Sequence, residues 1–185
     1  MKLKIPSDKY PEKYWLKYSR EVNPQYVEFL LGKKIDTKGN AILFSLKNKV
    51  SVAAIRKYDY LYSDGADVVS EQIAAVLNEI CPDDIQLLPA IVNVNGVILS
   101  NYYALNVLKS EHALDLEGCV YFSLGEDDDA PKRFEKIALL DKVPSADIFR
   151  ALEKRSSIIL SDRLAQALEK ASIKGIRFVS KIERF

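Results

Sequence analysis

The chain has 185 residues, with 27 basic and 26 acidic side chains that leave a formal net charge of +1. A general nucleic-acid binder needs a basic excess to neutralise phosphates, so this balance argues against nucleic acid as a partner. Hydrophobic residues make up 48% and charged residues 29% of the chain, which is ordinary for a soluble globular protein. No apolar run approaches the ~20 residues of a membrane-spanning helix, and we expect no membrane partner.

We predict one domain over residues 1–185, for which halves 1–92 and 93–185 are an alternative division. Residues 1–15 lack the apolar centre of a signal peptide, so we expect a cytoplasmic protein. Cys81 and Cys119 are too few for a disulfide framework or a zinc site, and both lie in apolar surroundings. We interpret them as small buried side chains in preference to redox or nucleophilic groups.

The first third of the chain is predicted to be mostly β-structure. Aromatic residues are frequent in residues 1–26, but acidic residues offset the lysines between them. We therefore interpret these rings as a cover for the edge of the core rather than as a nucleic-acid surface. Residues 27–31, followed by Gly32, predict a strand and a turn, and residues 41–46 predict another strand.

Residues 66–91 predict a strand, a helix and a second strand. Ser70 is a suitable N-cap because its hydroxyl can accept a hydrogen bond from a first-turn amide. Apolar side chains at helical spacing then predict a helix over residues 71–80. Beyond this unit, Asn95-Gly96 lies between two β-rich runs and predicts a hairpin.

Residues 156–178 predict the same order of elements, with Ser161 as N-cap, a helix over 162–171 and a reversal at Gly175. An offset of 91 residues brings the apolar positions of 66–91 onto those of this segment without a gap. The match indicates a repeated unit. The predicted fold class is α+β, with a mainly antiparallel sheet and two similar strand–helix–strand units.

His112 is the only histidine, and with Asp115 it could form the His–Asp pair of a small hydrolase-like enzyme. Such a pair also needs a nucleophile held nearby, which the spacing does not indicate, and one histidine cannot make a His-rich metal site. The phosphate-binding and hydrolase motifs GxGxxG, GxxxxGK, GxSxG and HExxH are absent from the sequence. We predict no catalytic residue, no metal ligand and no cofactor.

The densest acidic cluster of the chain is Glu126, Asp127, Asp128 and Asp129. It lacks the spaced ligands and the distal glutamate of a calcium loop, so a solvated loop is its default interpretation. The functional alternative is a surface that attracts a basic protein partner through long-range charge. These four acids are the predicted partner-binding residues.

Several segments together resemble a known family; they are residues 101–106, 113–115, 148–150, 159–164 and 173–178. The ending is the strongest element, with Ser161 and Leu164 opening an amphipathic helix that leads to Gly175-Ile176 and Phe178. The chain resembles the eleventh-numbered predicted immunity-protein family of bacterial polymorphic toxin systems, formerly a domain of unknown function. The resemblance covers about residues 58–178, and residues before it match loosely.

The resemblance implies a non-enzymatic protein that binds a cognate toxin and blocks it, thereby protecting the cell that makes the toxin. The family supplies no catalytic residues that could be transferred to this chain. Two alternatives stay open at this point. One is the small hydrolase-like enzyme that uses His112 and Asp115, and the other is a structural or regulatory module of a secretion system.

Overall fold

A computed structural model describes residues 3–8, 11–46, 50–125 and 132–183 of the chain. Within these ranges the chain is mostly β-structure, with four α-helices and with strands in antiparallel and mixed sheets. The helices are α1 (Tyr26–Leu30), α2 (Val52–Ile55), α3 (Glu71–Ile80) and α4 (Asp162–Lys170). The strands are β1 (Ile5–Asp8), β2 (Leu16–Tyr18), β3 (Ile42–Leu46), β4 (Tyr60–Leu61), β5 (Val68–Ser70), β6 (Ile85–Val94), β7 (Val97–Val107), β8 (Ser110–Glu111), β9 (Val120–Ser123), β10 (Lys132–Ala138), β11 (Ile148–Ala151), β12 (Lys154–Leu160), β13 (Ile176–Val179) and β14 (Lys181–Glu183).

The largest sheet contains six strands in the order β2-β3-β6-β7-β5-β4. Its centre is the long antiparallel hairpin of β6 and β7, which confirms the predicted hairpin. Asn95 and Gly96 connect the two strands with positive φ angles of 53° and 86°. Asparagine and glycine tolerate this left-handed backbone, and the resulting turn matches the twist of the strands that it joins.

The remaining strands form three smaller sheets in the described parts of the chain: β12-β11-β8, β14-β10-β9 and β1-β13. Most neighbours are antiparallel, but β3 pairs with β6 and β8 pairs with β11 in parallel. The predicted α+β class with mainly antiparallel pairing agrees with this arrangement, although the strands are divided among several sheets. The predicted single domain over 1–185, or its halves 1–92 and 93–185, stays a prediction.

Two predicted helices are confirmed, and their capping is as expected. The hydroxyl of Ser70 accepts from the Ile73 amide at the start of α3, and that of Ser161 accepts from the Leu164 amide at the start of α4. Helix α4 ends at Lys170, one residue before the predicted end at Ala171, which is its C-cap. None of the helices in the described ranges is long and apolar enough to cross a membrane.

The two strand–helix–strand segments occur as β5-α3-β6 and β12-α4-β13, but they pair differently. Strands β5 and β6 both lie beside β7, whereas β12 pairs with β11 and β13 pairs with β1. The local order of elements therefore follows the sequence pattern. The similarity of the two units stays a prediction.

The predicted strand at residues 27–31 is wrong, because this segment forms helix α1. Tyr26 and Phe29 are one helical turn apart and both pack on the buried ring of Tyr18, with ring centroids 6.5 and 6.2 Å away. A short apolar run does not distinguish a strand from one helical turn. Packing of these rings against Tyr18 favours the helix.

Candidate functional site

A cleft of about 480 Å³ lies where the four sheets meet, and we call it the inter-sheet cleft. Its lining includes Ile5 of β1, Tyr60 of β4, Phe134 of β10, Arg150 of β11 and Ile158 of β12. Residues from distant parts of the chain therefore converge on it. Concave clefts at the meeting of several structural elements are a common location of ligand sites in proteins.

Arg150 is the most unusual residue of the cleft. Strand alternation on β11 turns Phe149 and Ala151 into one apolar cluster and Arg150 to the other face. The Arg150 side chain is only 2% exposed. Its Nη1 donates to the carbonyl oxygen of Arg155 at 2.9 Å, while its Nε has no hydrogen-bond partner in the parts of the chain that the structure describes. A buried donor without an acceptor is costly, so this atom marks a place where an acceptor is missing.

Asp67 lies in the connection from β4 to β5 and lines the same cleft. Burial raises the pKa of its carboxyl from 3.8 to about 6, although a hydrogen bond from Tyr60 and the positive charge of Arg150 both act to lower it. The Tyr60 hydroxyl donates to Asp67 Oδ2 at 2.7 Å. Burial also raises the pKa of Tyr26, with the Asp67 charge adding to the shift and Arg150 opposing it. These groups form one electrostatically coupled set.

An aromatic wall completes the cleft and consists of Trp15, Tyr62 and Tyr60. The ring centroids of Trp15 and Tyr62 are 5.8 Å apart, and those of Tyr62 and Tyr60 are 5.0 Å apart. The indole Nε1 of Trp15 is buried and has no hydrogen-bond partner within the described ranges. The wall therefore offers flat apolar faces beside a second donor that lacks an acceptor.

Charged side chains from three strands also line the cleft. They are Glu135 of β10, Lys154 of β12 and Arg177 of β13, and both Glu135 and Arg177 are exposed to solvent. With Arg150 and Asp67 included, the lining contains three basic and two acidic side chains. The cleft is thus suited to binding a small molecule that carries negative charge and acceptor atoms.

The proposed His112–Asp115 pair is not formed. The His112 side chain is 75% exposed, and its Nδ1 lies 3.1 Å from Oε1 of Glu153. Neither His112 nor Asp115 lines the inter-sheet cleft. The structure therefore gives the hydrolase-like alternative no site built on these two residues.

The two cysteines are not activated thiols. Burial raises the pKa of the Cys81 thiol to about 12, and burial also raises the pKa of Cys119. Cys81 is buried, while Cys119 is half-buried and its Sγ accepts from the amide of Ala138 at 3.3 Å. Within the described residues, no group of three or more His, Cys, Asp or Glu side chains could hold a metal ion.

The predicted partner-binding acids Glu126, Asp127, Asp128 and Asp129 lie outside the described residues. In the sequence they fall between β9 and β10, which pair as antiparallel neighbours. The described part of this region has an unusual surface. Val120, Phe122 and Leu124 are 46%, 55% and 67% exposed, and we call these three residues the apolar strip.

The apolar strip follows from the alternation of β9. Tyr121 turns inward and packs on Phe134 with 5.3 Å between ring centroids, so its neighbours Val120 and Phe122 turn outward. Among the described strands β9 pairs only with β10, which makes it the edge of its sheet. An exposed edge strand with an apolar outer face is typical of a protein interaction site.

A family model for the immunity protein family Imm11 matches residues 10–181 of the 185-residue chain. The chain belongs to this family. The membership confirms the family suggested by the sequence motifs and extends the match through the aromatic N-terminal region. No curated protein matches this Imm11 chain.

Sequence reasoning missed the inter-sheet cleft of this Imm11 protein. Trp15, Asp67 and Arg150 are far apart in the chain, and only the packing of the sheets brings them together. One signal was present in the sequence: Arg150 interrupts the apolar run of β11, where an arginine is expected only with a buried polar role.

Proposed function

We propose that this chain is a non-enzymatic immunity protein that binds one cognate toxin and neutralises it in the cytoplasm of a bacterial cell. Membership of the Imm11 family over residues 10–181 is the observation that carries the proposal. A toxin partner is the general implication of this family. Binding alone is sufficient for protection, since a protein that covers a catalytic cleft blocks it without chemistry of its own.

We propose the apolar strip and the acidic residues that follow it in sequence as the toxin-binding surface. Among the described strands β9 has a neighbour on one side only, so its other edge can add a strand from the partner, and Val120, Phe122 and Leu124 can fill apolar pockets beside it. The cluster from Glu126 to Asp129 supplies four negative charges close by in the sequence. The expected partner surface is therefore an apolar strand or groove with a basic rim.

The first experiment tests the function itself. The toxin encoded beside this gene is induced in a bacterial host with and without this chain, and a tagged copy of the chain is used to recover the toxin. Growth arrest that the chain rescues, together with a stable complex, supports the proposal. The proposal is contradicted if the neighbouring toxin arrests growth and this chain neither restores growth nor binds the toxin.

The second experiment tests the apolar strip. Phe122→Ser should weaken toxin binding at least tenfold, about the loss expected when an aromatic anchor is removed from an interface. Ile98→Ser is the matched control, because Ile98 is an apolar residue of similar exposure, 53% against 55%, on the β6–β7 hairpin of a different sheet. Equal effects of the two changes on affinity would exclude the strip as the interface.

The third experiment tests the acidic cluster. Replacement of Glu126, Asp127, Asp128 and Asp129 by Ser should lower the association rate at low salt, with a smaller effect at high salt where charges are screened. A second variant changes the same number of exposed acids elsewhere, at Glu12, Glu21, Glu79 and Glu169. The association rate should fall with the first variant only, and an unchanged rate would remove the cluster from the interface.

A further inference from the structure

We propose that the inter-sheet cleft is a binding site for a small anion in which a carboxylate or phosphate group is attached to a planar ring. The site is formed by Arg150, Trp15 and the aromatic wall. Ligand binding in the cleft is independent of the proposed toxin-binding surface, because the cleft is not lined by Val120, Phe122 or Leu124.

Two buried donors of the cleft call for acceptor atoms. Arg150 Nε and Trp15 Nε1 both lack a partner within the described residues, and both side chains line the same space. Neither group can act as an acceptor, so a second donor would not satisfy them. Oxygen atoms of a carboxylate or phosphate satisfy such donors, and the guanidinium binds these groups with particular strength.

Charge favours an anion over a neutral acceptor. Arg150 is almost fully buried; its Nη1 donates to the uncharged carbonyl of Arg155, and its side chain also interacts with the hydroxyl of Tyr26, acting to lower the pKa of that group. Within the described residues no carboxylate forms an ion pair with Arg150, although the charge of Asp67 acts on it, so an anionic ligand group can supply a direct partner. Lys154 and Arg177 line the same cleft, so that its lining holds three basic side chains against the two acids Asp67 and Glu135.

The shape of the cleft determines the rest of the ligand. The rings of Trp15 and Tyr62 are inclined by 31° to each other, and both line a space of about 480 Å³. Planar rings pack well against aromatic side chains. A volume in the range of about 300–1,000 Å³ is usual for sites that take a drug-sized molecule. A planar ring with an acid group thus matches both the walls and the donors.

The test is direct binding of defined probes to the full-length chain by isothermal titration calorimetry. Adenosine monophosphate represents a phosphate on a planar base, and indole-3-carboxylate represents a carboxylate on a planar ring. Adenosine and indole are the matched neutral compounds. Saturable binding of either anion, with binding of its neutral counterpart weaker by at least about tenfold, is the expected result. The anion that binds more tightly identifies whether the site prefers a phosphate or a carboxylate.

Two variants locate the binding. Arg150→Lys keeps the positive charge but lacks the guanidinium N–H at Nε, and it should weaken binding of the anion at least about tenfold. Trp15→Phe keeps a flat ring but lacks the indole N–H, and it should weaken binding of the anion about threefold or more. This second variant keeps the test decisive if Arg150→Lys fails to fold. Arg56→Gln changes an exposed arginine outside the cleft and should leave affinity unchanged.

Three results would overturn the proposal: no binding of either anion at millimolar concentration, equal binding of the neutral compounds, or unchanged affinity in folded Arg150→Lys and Trp15→Phe. A toxin that still binds under any of these outcomes leaves the immunity function intact.

Discussion

Asp67 should destabilise the protein at neutral pH, and its replacement by Asn tests this. Burial raises the pKa of its carboxyl from 3.8 to about 6, so the folded protein holds this proton over a range in which the unfolded chain has lost it. The contribution of the neutral carboxyl is complete below about pH 4 and is lost as the pH rises through about 6. Stability relative to a neutral side chain therefore falls across this window.

The size of the effect follows from the two pKa values. One pKa unit corresponds to about 1.4 kcal/mol, so a shift from 3.8 to about 6 amounts to at most about 3 kcal/mol of unfolding free energy above pH 6. Asp67 is half-buried, which makes this an upper value. Asparagine keeps an oxygen that can accept the hydrogen bond from Tyr60.

Urea unfolding at pH 4, 5, 6 and 7.5 measures the effect at constant ionic strength. The free energy of unfolding of Asp67→Asn should be close to that of the wild type at pH 4 and should exceed it by up to about 3 kcal/mol at pH 7.5. Asp141→Asn, a change at an exposed position, should stay within about 0.5 kcal/mol at every pH. A difference between Asp67→Asn and wild type that does not grow with pH would refute the reasoning.

Two further changes test the scaffold by urea unfolding. Hydrogen bonds from Arg163 and Ser161 lower the pKa of Asp147, so its charged form stabilises the fold. Asp147→Asn should therefore lower the free energy of unfolding at pH 7, and this loss should shrink as the pH falls below about 4. A loss that is the same at all pH values would contradict this. Gly65→Ala should cost about 1–3 kcal/mol, because the added Cβ would come within 2.5 Å of the buried Tyr18 ring. In Gly39→Ala the added Cβ would meet no atom within 4 Å, so this variant should lose only the ~1 kcal/mol of stability that a φ of +81° costs a residue other than glycine. Equal losses of stability in the two variants would exclude the clash with Tyr18.

The helices of the two strand–helix–strand segments were predictable because their signals are local. Ser70 and Ser161 cap α3 and α4 as expected, and Leu77, Leu164 and Leu168 of the apolar faces are buried. Ala167 is only half-buried, and Ala165 is the buried alanine of α4. Helix α1 was missed for the opposite reason. It is one turn long, and the contacts that stabilise it come from Tyr18, which precedes it in the chain.

The cleft could not be predicted from sequence spacing, since its residues come from both ends of the chain. Trp15 and Arg150 line the same cleft only because the sheets meet there. The acidic cluster shows the reverse situation. Glu126 to Asp129 stand out in the sequence, but they fall outside the described residues, so their role as partner-binding residues stays a prediction.

The two perturbed aspartates separate the scaffold from the candidate ligand site on energetic grounds. Asp147 accepts hydrogen bonds from Ser161 and Arg163, which lower its pKa, and so its charge stabilises the fold. Asp67 has a pKa raised by burial, so its charge opposes folding, and it lines the same cleft as Arg150, whose Nε has no partner among the described residues. Charges that oppose folding are more typical of sites for binding than of structural contacts. The stability change with pH is therefore expected to have opposite signs at Asp67 and at Asp147.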